Sequence, residues 1–161
     1  MAPLNPWLVE LPRVYSGSAV LVTDEHDRVL LLEASFRDAW LLPGGCLADD
    51  EDPKTCARRE LAEETGLDLP IGALLDVDWR GADPREEHLA APVVQFLFDA
   101  GRITSDTPIV LDHESLSARW CTLPEAKELL PSVAYERLRR GIDARVNGGC
   151  GYAVSEAGRW G

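Results

Sequence analysis

Residues 14–23 (VYSGSAVLVT) and 28–34 (RVLLLEA) are apolar runs rich in β-branched and aliphatic side chains, joined by the polar DEHD, a pattern that predicts a hairpin. The segment WLLPGG at 40–45 reads as a short buried strand ending at a Pro-Gly-Gly turn, where glycine lets the backbone approach another group closely. The period then changes. Ala57 and Leu61 recur at i, i+4, while Arg58 and Arg59 keep that apolar stripe narrow and leave the opposite face charged. Asp52 suits the N-cap, Pro53 the first helical position and Gly66 the left-handed C-terminal cap, so the helix is predicted over 53–65. Strands are predicted at 71–80, 91–100 and 117–123, with a polar loop over 81–90 long enough to help form a site. Helices are predicted at 124–130 and 132–146, the second with Ala134, Leu138, Ile142 and Val146 on one side. The glycine-rich tail from 147 is weakly patterned and reads as partly mobile, with Tyr152 and Trp160 able to dock. Strands interleaved with one helix and followed by two more predict an α/β mixed sheet covered by helices, in a single domain with its core at about 14–147.

A chain of 161 residues and 17.7 kDa is long enough to bury one core, and 45% hydrophobic with 27% charged residues is a globular composition. The net charge of -12 and pI near 4.6 exclude a long nucleic acid as the main partner, since binding one relies on clustered Lys and Arg. A small phosphorylated ligand held through a metal stays compatible with that charge. No basic-then-apolar leader opens the sequence and no apolar stretch reaches membrane-spanning length, so the expectation is a cytoplasmic protein without a membrane partner. Cys46, Cys56, Cys121 and Cys150 form no CxxC and read as free thiols. His26, His88 and His113 each lie beside an acid and read as loop histidines.

One feature of the helix is costly. Glu60, Glu63 and Glu64 stand at i, i+3 and i+4, where like charges repel by a few tenths of a kcal/mol per pair. Together with Glu51 just ahead of the helix and the carbonyls of Gly44 and Gly45, they offer hard oxygen donors in a small volume, the set Mg²⁺ prefers, and a dication would offset the repulsion. Magnesium shared with substrate phosphates points to phosphate chemistry, with a remaining glutamate as general base and Arg59 orienting a carboxylate. A solvated, merely amphipathic charged helix is the competing reading of the same residues.

The spacing carries a more specific resemblance. Gly45, Glu51, Arg59, Glu60, Leu61, Glu63, Glu64, Gly66 and Leu67 resemble the Nudix box without gap or substitution, and seven positions that demand one residue type match by chance roughly once in 10⁸ registers. WLLPGG resembles the strand and turn that precede the box, and Arg119-Trp120 a late strand of the family. The resemblance implies an α/β/α sandwich with a central mixed sheet, and a Mg²⁺-dependent hydrolase, with Mn²⁺ as the alternative ion, that cleaves a pyrophosphate bond in a nucleoside diphosphate linked to another moiety. A catalytically silent Nudix-fold nucleotide binder is the alternative. By the same resemblance Glu60, Glu63, Glu64 and the Gly44 carbonyl would bind metal, Arg59 would orient a glutamate, and Glu51 would be structural or an outer ligand. Glu114 sits where some members carry a further glutamate, with Glu86 and Glu87 as rivals, and the base is left between Glu60 and Glu114. Ala48 departs from the family by standing where many members have glutamate.

Specificity lies outside the box. Pro84 falls 17 residues after Leu67, off the spacing of ADP-ribose hydrolases, and no tyrosine stands at the spacing of dinucleoside polyphosphate hydrolases. Arg37, Trp79, Arg80 and Glu87 are the candidate substrate-binding residues, since aromatic faces and guanidinium groups suit a base or a phosphate. Trp40 and Trp79 also suit strand-end core positions. Arg137, Arg139, Arg140 and Arg145 make the last helix basic, which suits a phosphate entrance or, more simply, a solvated face paired with acidic neighbours. The expected partner is a small nucleotide-type substrate, and a homodimer is left open.

Overall fold

The computed structural model describes residues 5–83 and 91–155. After a four-residue helical turn, α1 (Pro6–Val9), come β1 (Tyr15–Thr23), β2 (Val29–Ala34), β3 (Trp40–Leu41), β4 (Gly44–Cys46), α2 (Pro53–Thr65) and β5 (Leu74–Arg80). β6 (Val93–Arg102), β7 (Ser115–Cys121), α3 (Leu123–Leu129), α4 (Ser132–Asn147) and β8 (Gly151–Ser155) complete it. The strands join in the order β3-β2-β1-β6-β5-β8, with β4 also paired to β1 and β7 to β2. β1 runs parallel to β6 and β5 parallel to β8, whereas the other pairings are antiparallel, so the sheet is mixed.

Alternation along β1 sorts side chains between two cores. Ala19 and Leu21 join Val29, Leu31, Leu97 and Leu138 beneath α3 and α4. Val20 and Val22 join Leu30, Ala57, Leu61 and Phe98 beneath α2. A period of two on a strand places successive residues on opposite faces, and both faces of this sheet are covered by helices, which is why β1 and β2 carry the unbroken apolar runs 19–22 and 29–32. The layers are the α/β/α sandwich expected.

The cap of α2 is as the sequence specifies: Asp52 accepts from the Lys54 and Thr55 amides, Pro53 opens the helix, and Gly66 closes it at φ 71°. Five expectations change. The predicted hairpin is minimal, because β1 meets β2 only at Thr23↔Val29 and gives Gly17–Ala19 to β4 instead. The glycines at 44–45 therefore lie in a strand, not merely in a turn. Thr122, read as strand, is the N-cap of α3 in a reciprocal capping box with Glu125. Residues 151–155 of the tail form an edge strand on β5. On α4, Leu138 and Ala144 are buried but Val146 is 75% exposed, because an i, i+4 row drifts around a helix of 3.6 residues per turn and leaves the buried face. Tyr152 is exposed, and Trp160 lies outside the described residues.

Candidate active site

β4 is pressed between β1 and the acidic face of α2. The Gly44 N–H donates to Glu64 Oε2 at 2.8 Å. A Cβ on Gly44 would run into the Ser18 carbonyl, so glycine is required there by close approach, and one on Gly45 would stand 2.5 Å from the Glu60 carboxylate, which would have to shift. α2 thus lays two carboxylates directly on the glycine pair that precedes it in sequence.

Arg59 organises the remainder. Its Nε donates to Glu51 Oε1 and its Nη2 to Glu51 Oε2, both at 2.8 Å, a bidentate pair. Nη1 reaches Glu60 Oε1 at 2.7 Å and Glu63 Oε2 at 3.1 Å, and Nη2 reaches the Cys46 carbonyl at 3.1 Å. Glu51 also accepts from the Ala48 amide at 2.9 Å, a bond that needs no side chain at position 48.

The carboxylates are electrostatically unequal. Hydrogen bonds from Arg59, then from the Ala48 amide, hold Glu51 down to about 2. Burial pushes Glu60 up, Arg59 opposes that shift, and Glu63 and Glu114 add to it. Burial pushes Glu64 up to about 8; the Gly44 N–H opposes this, while Glu60, Asp112 and Glu114 reinforce it. Glu114 therefore faces the helix carboxylates from the loop ahead of β7. That loop is tied down by the Ser35 amide on the Glu114 carbonyl at 2.8 Å and by the Val110 amide on the Thr65 carbonyl at 2.9 Å. Asp112 belongs to the same acidic group and was missed, its only sequence signal being one more acid in "LDHES".

These acids match a hard divalent cation in donor type, and buried negative charge raised by its own neighbours calls for a positive one. They are not yet gathered around a point: among the described residues no three Asp, Glu, His or Cys side chains could hold an ion as placed. The reason is visible in the contacts. Glu60 and Glu63 turn toward Arg59, and Glu64 toward Gly44. Glu63 is 56% exposed and can swing away from Arg59 at little cost.

Beside β4 opens a cavity of about 430 Å³. Gly44, Gly45 and Cys46 form the wall it shares with the carboxylates. Arg37 and Arg80, two of the candidate substrate-binding residues, line it, and Arg137 joins them. Trp79 does not line it, because it alternates with Asp78 and Arg80 along β5. Trp40 packs on the core beneath α3 and α4. Pro84, Glu86, Glu87 and His88 lie outside the described residues. The arginines of the basic helix do pair with acids, but three of the four do so largely out of solvent. Arg137 donates to Asp78 at 3.0 Å, Arg140 to both Asp76 oxygens at 2.8 and 2.9 Å, and Arg145 to Asp99 at 2.6 Å, while Arg139 pairs with Glu136 on the surface. The described histidines are exposed and the four cysteines are free thiols. Among the described residues no helix is long and apolar enough to cross a membrane.

A mixed sheet between helices, with an acidic helix laid on a glycine strand, defines a class, and the family description "NUDIX domain" matches residues 15–141. The chain belongs to the NUDIX family, whose members generally use divalent metals. It is 38% identical over 64 residues to human diphosphoinositol polyphosphate phosphohydrolase 3-alpha, covering 39% of each chain. It is 29% identical over 136 residues to a MutT-like protein of Streptomyces ambofaciens, covering 82% of this chain and 80% of that one. Among solved structures, the MutT protein of Methanosarcina mazei Go1 superposes with a TM-score of 0.70 at 25% identity, over 86% of this chain and 98% of that one. The chain thus spans well under half of the human relative's length.

Proposed function

We propose that the protein hydrolyses a pyrophosphate bond in a nucleoside diphosphate linked to another moiety, with Mg²⁺, or Mn²⁺ in its place, as cofactor. The observation that supports this best is the meeting of Glu60 and Glu64 with Gly44–Gly45 on the wall of the cavity. Glu60, Glu63, Glu64 and the Gly44 carbonyl would hold the ion, whose charge would neutralise the phosphate oxygens. Arg59 keeps Glu60 oriented and is itself held by Glu51. Among the described residues the Glu114 carboxylate has only the distant His113 imidazole, 4.0 Å away, as a partner, which leaves it able to take the proton of an attacking water, so it is the preferred base over Glu60. Water oxygen then bonds to phosphorus, the bridging P–O bond breaks, and a phosphate-containing fragment leaves.

A second reading, a nucleotide binder without turnover, draws on the engagement of Glu60 and Glu63 by Arg59. Incubation with a panel of nucleoside diphosphate derivatives and Mg²⁺, with phosphate detection, separates the two. Turnover that falls at least a hundredfold in Glu64→Gln and Glu114→Gln is expected. No turnover of any pyrophosphate compound, or equal turnover by Glu64→Gln, overturns the hydrolase; tight nucleotide binding without product favours the binder.

A further inference from the structure

Gln95 lies on β6 opposite Gly17 of β1 and lines the cavity. Its amide lies flat against that glycine: a Cβ on Gly17 would stand 2.7 Å from Nε2 and 2.8 Å from Oε1. The absence of a side chain at Gly17 thus makes room for the amide, and among the described residues this amide makes no hydrogen bond. A primary amide carries two donors and an acceptor side by side, the pattern that pairs with the edge of a heterocyclic base. Around it the walls are mainly apolar, with Tyr15, Leu42, Val93 and Ala134 among them. Phe36, 66% exposed, supplies an aromatic ring to the same cavity, with the Arg37 guanidinium carbon 5.6 Å from its centroid.

Charge narrows the ligand further. Of the three arginines that line the cavity, Arg137 gives its charge to Asp78 at 3.0 Å, Arg80 is also engaged, and the guanidinium of Arg37 is drawn to the Phe36 ring. A ring bearing many phosphates needs several uncommitted cations, whereas a neutral planar base needs apolar walls and one or two polar groups. About 430 Å³ falls in the range of small-ligand sites.

We infer that this cavity is a nucleobase subsite, in which Gln95 reads the hydrogen-bonding edge of the base and sets specificity, with Phe36 as a stacking wall. This rests on the hydrolase reading only for the position of the phosphates, since β4 joins the cavity to the carboxylates. The base enters edge-on to Gln95, and the diphosphate lies over Gly44–Cys46.

The test is calorimetric titration of AMP, GMP, CMP, UMP and inositol hexakisphosphate into the metal-free protein and three variants. The parent protein is expected to bind one of the four nucleotides about tenfold or more tighter than the weakest, the scale of one bidentate base contact. Gln95→Met keeps the side-chain length and removes the amide; it should compress the spread to within about threefold. Gly17→Ala displaces the amide and should do the same, while Phe36→Leu should weaken all four alike. A uniform loss of affinity in Gln95→Met with the spread intact, four equal affinities in the parent protein, or tighter binding of inositol hexakisphosphate overturns the inference. The readout needs no turnover. Hydrolysis without base preference leaves the function standing and removes the subsite, and base discrimination without hydrolysis does the reverse.

Discussion

Adding a divalent ion to the metal-free protein should expel a proton from Glu64. Burial among Glu60, Asp112 and Glu114 holds that carboxyl at about 8, so at pH 7 roughly 0.9 of the molecules carry the proton. An ion accepts carboxylate, not carboxylic acid, as a ligand, and binding therefore releases what Glu64 holds. Magnesium or manganese titrated by calorimetry at pH 7 in two buffers of different ionisation enthalpy gives the number directly. The parent protein should release about 0.9 more protons than Glu64→Gln, and the difference should shrink to about 0.1 at pH 9. The same group governs stability without metal. Its folded value lies above the ordinary 4.5, so its contribution is complete below that ordinary value and is lost as pH rises through about 8. The loss is at most about 1.4 kcal/mol per pH unit in that window, visible as a falling urea midpoint that saturating metal abolishes. A proton difference below about 0.3 at pH 7, or a metal-free protein that gains stability from pH 5 to 8 relative to Glu64→Gln, would refute the reasoning.

Gly45→Ala should leave the fold largely intact, with a change under about 1.5 kcal/mol in urea unfolding, because the atom its Cβ meets is the mobile end of Glu60. Activity should nevertheless fall tenfold or more, since that carboxylate must leave both its position and Arg59; unchanged activity would contradict the close contact. Asp76→Asn should cost about 3 kcal/mol of stability, because Arg140 loses one of two charge-assisted bonds at 2.8 and 2.9 Å to a fully buried acceptor. An unfolding midpoint matching the parent would show that the pair contributes nothing net.

Much of the candidate site was legible because its spacing is local. Glu60, Glu63 and Glu64 fall within about one turn of a helix whose caps are written in Asp52, Pro53 and Gly66, and the glycines they touch lie shortly before it. Asp112 was harder, since an acid in a loop has no periodicity to mark it, and its place depends on the Val110–Thr65 bond to the end of α2 and on the Ser35 bonds to His113 and Glu114. Gln95 was invisible for another reason. A strand-like "APVVQFLFDA" predicts alternation, but not that position 95 faces a glycine on a strand nearly eighty residues earlier in the chain. The sequence likewise left Trp79 and Arg80 as equal candidates, although one residue's shift along β5 sends them to opposite faces.

The sequence by itself determined the acidic helix, its boundaries, the mixed α/β class and the family, because each depends on spacing along one segment. Only the tertiary structure decided how β1 divides itself between β4 and β2, that 151–155 extends the sheet, and that the arginines of α4 are held by Asp76, Asp78 and Asp99. Those outcomes depend on which strand competes successfully for each edge and which charge finds a partner when water is excluded. Such contests are settled between segments far apart in the chain, and no local pattern records the winner.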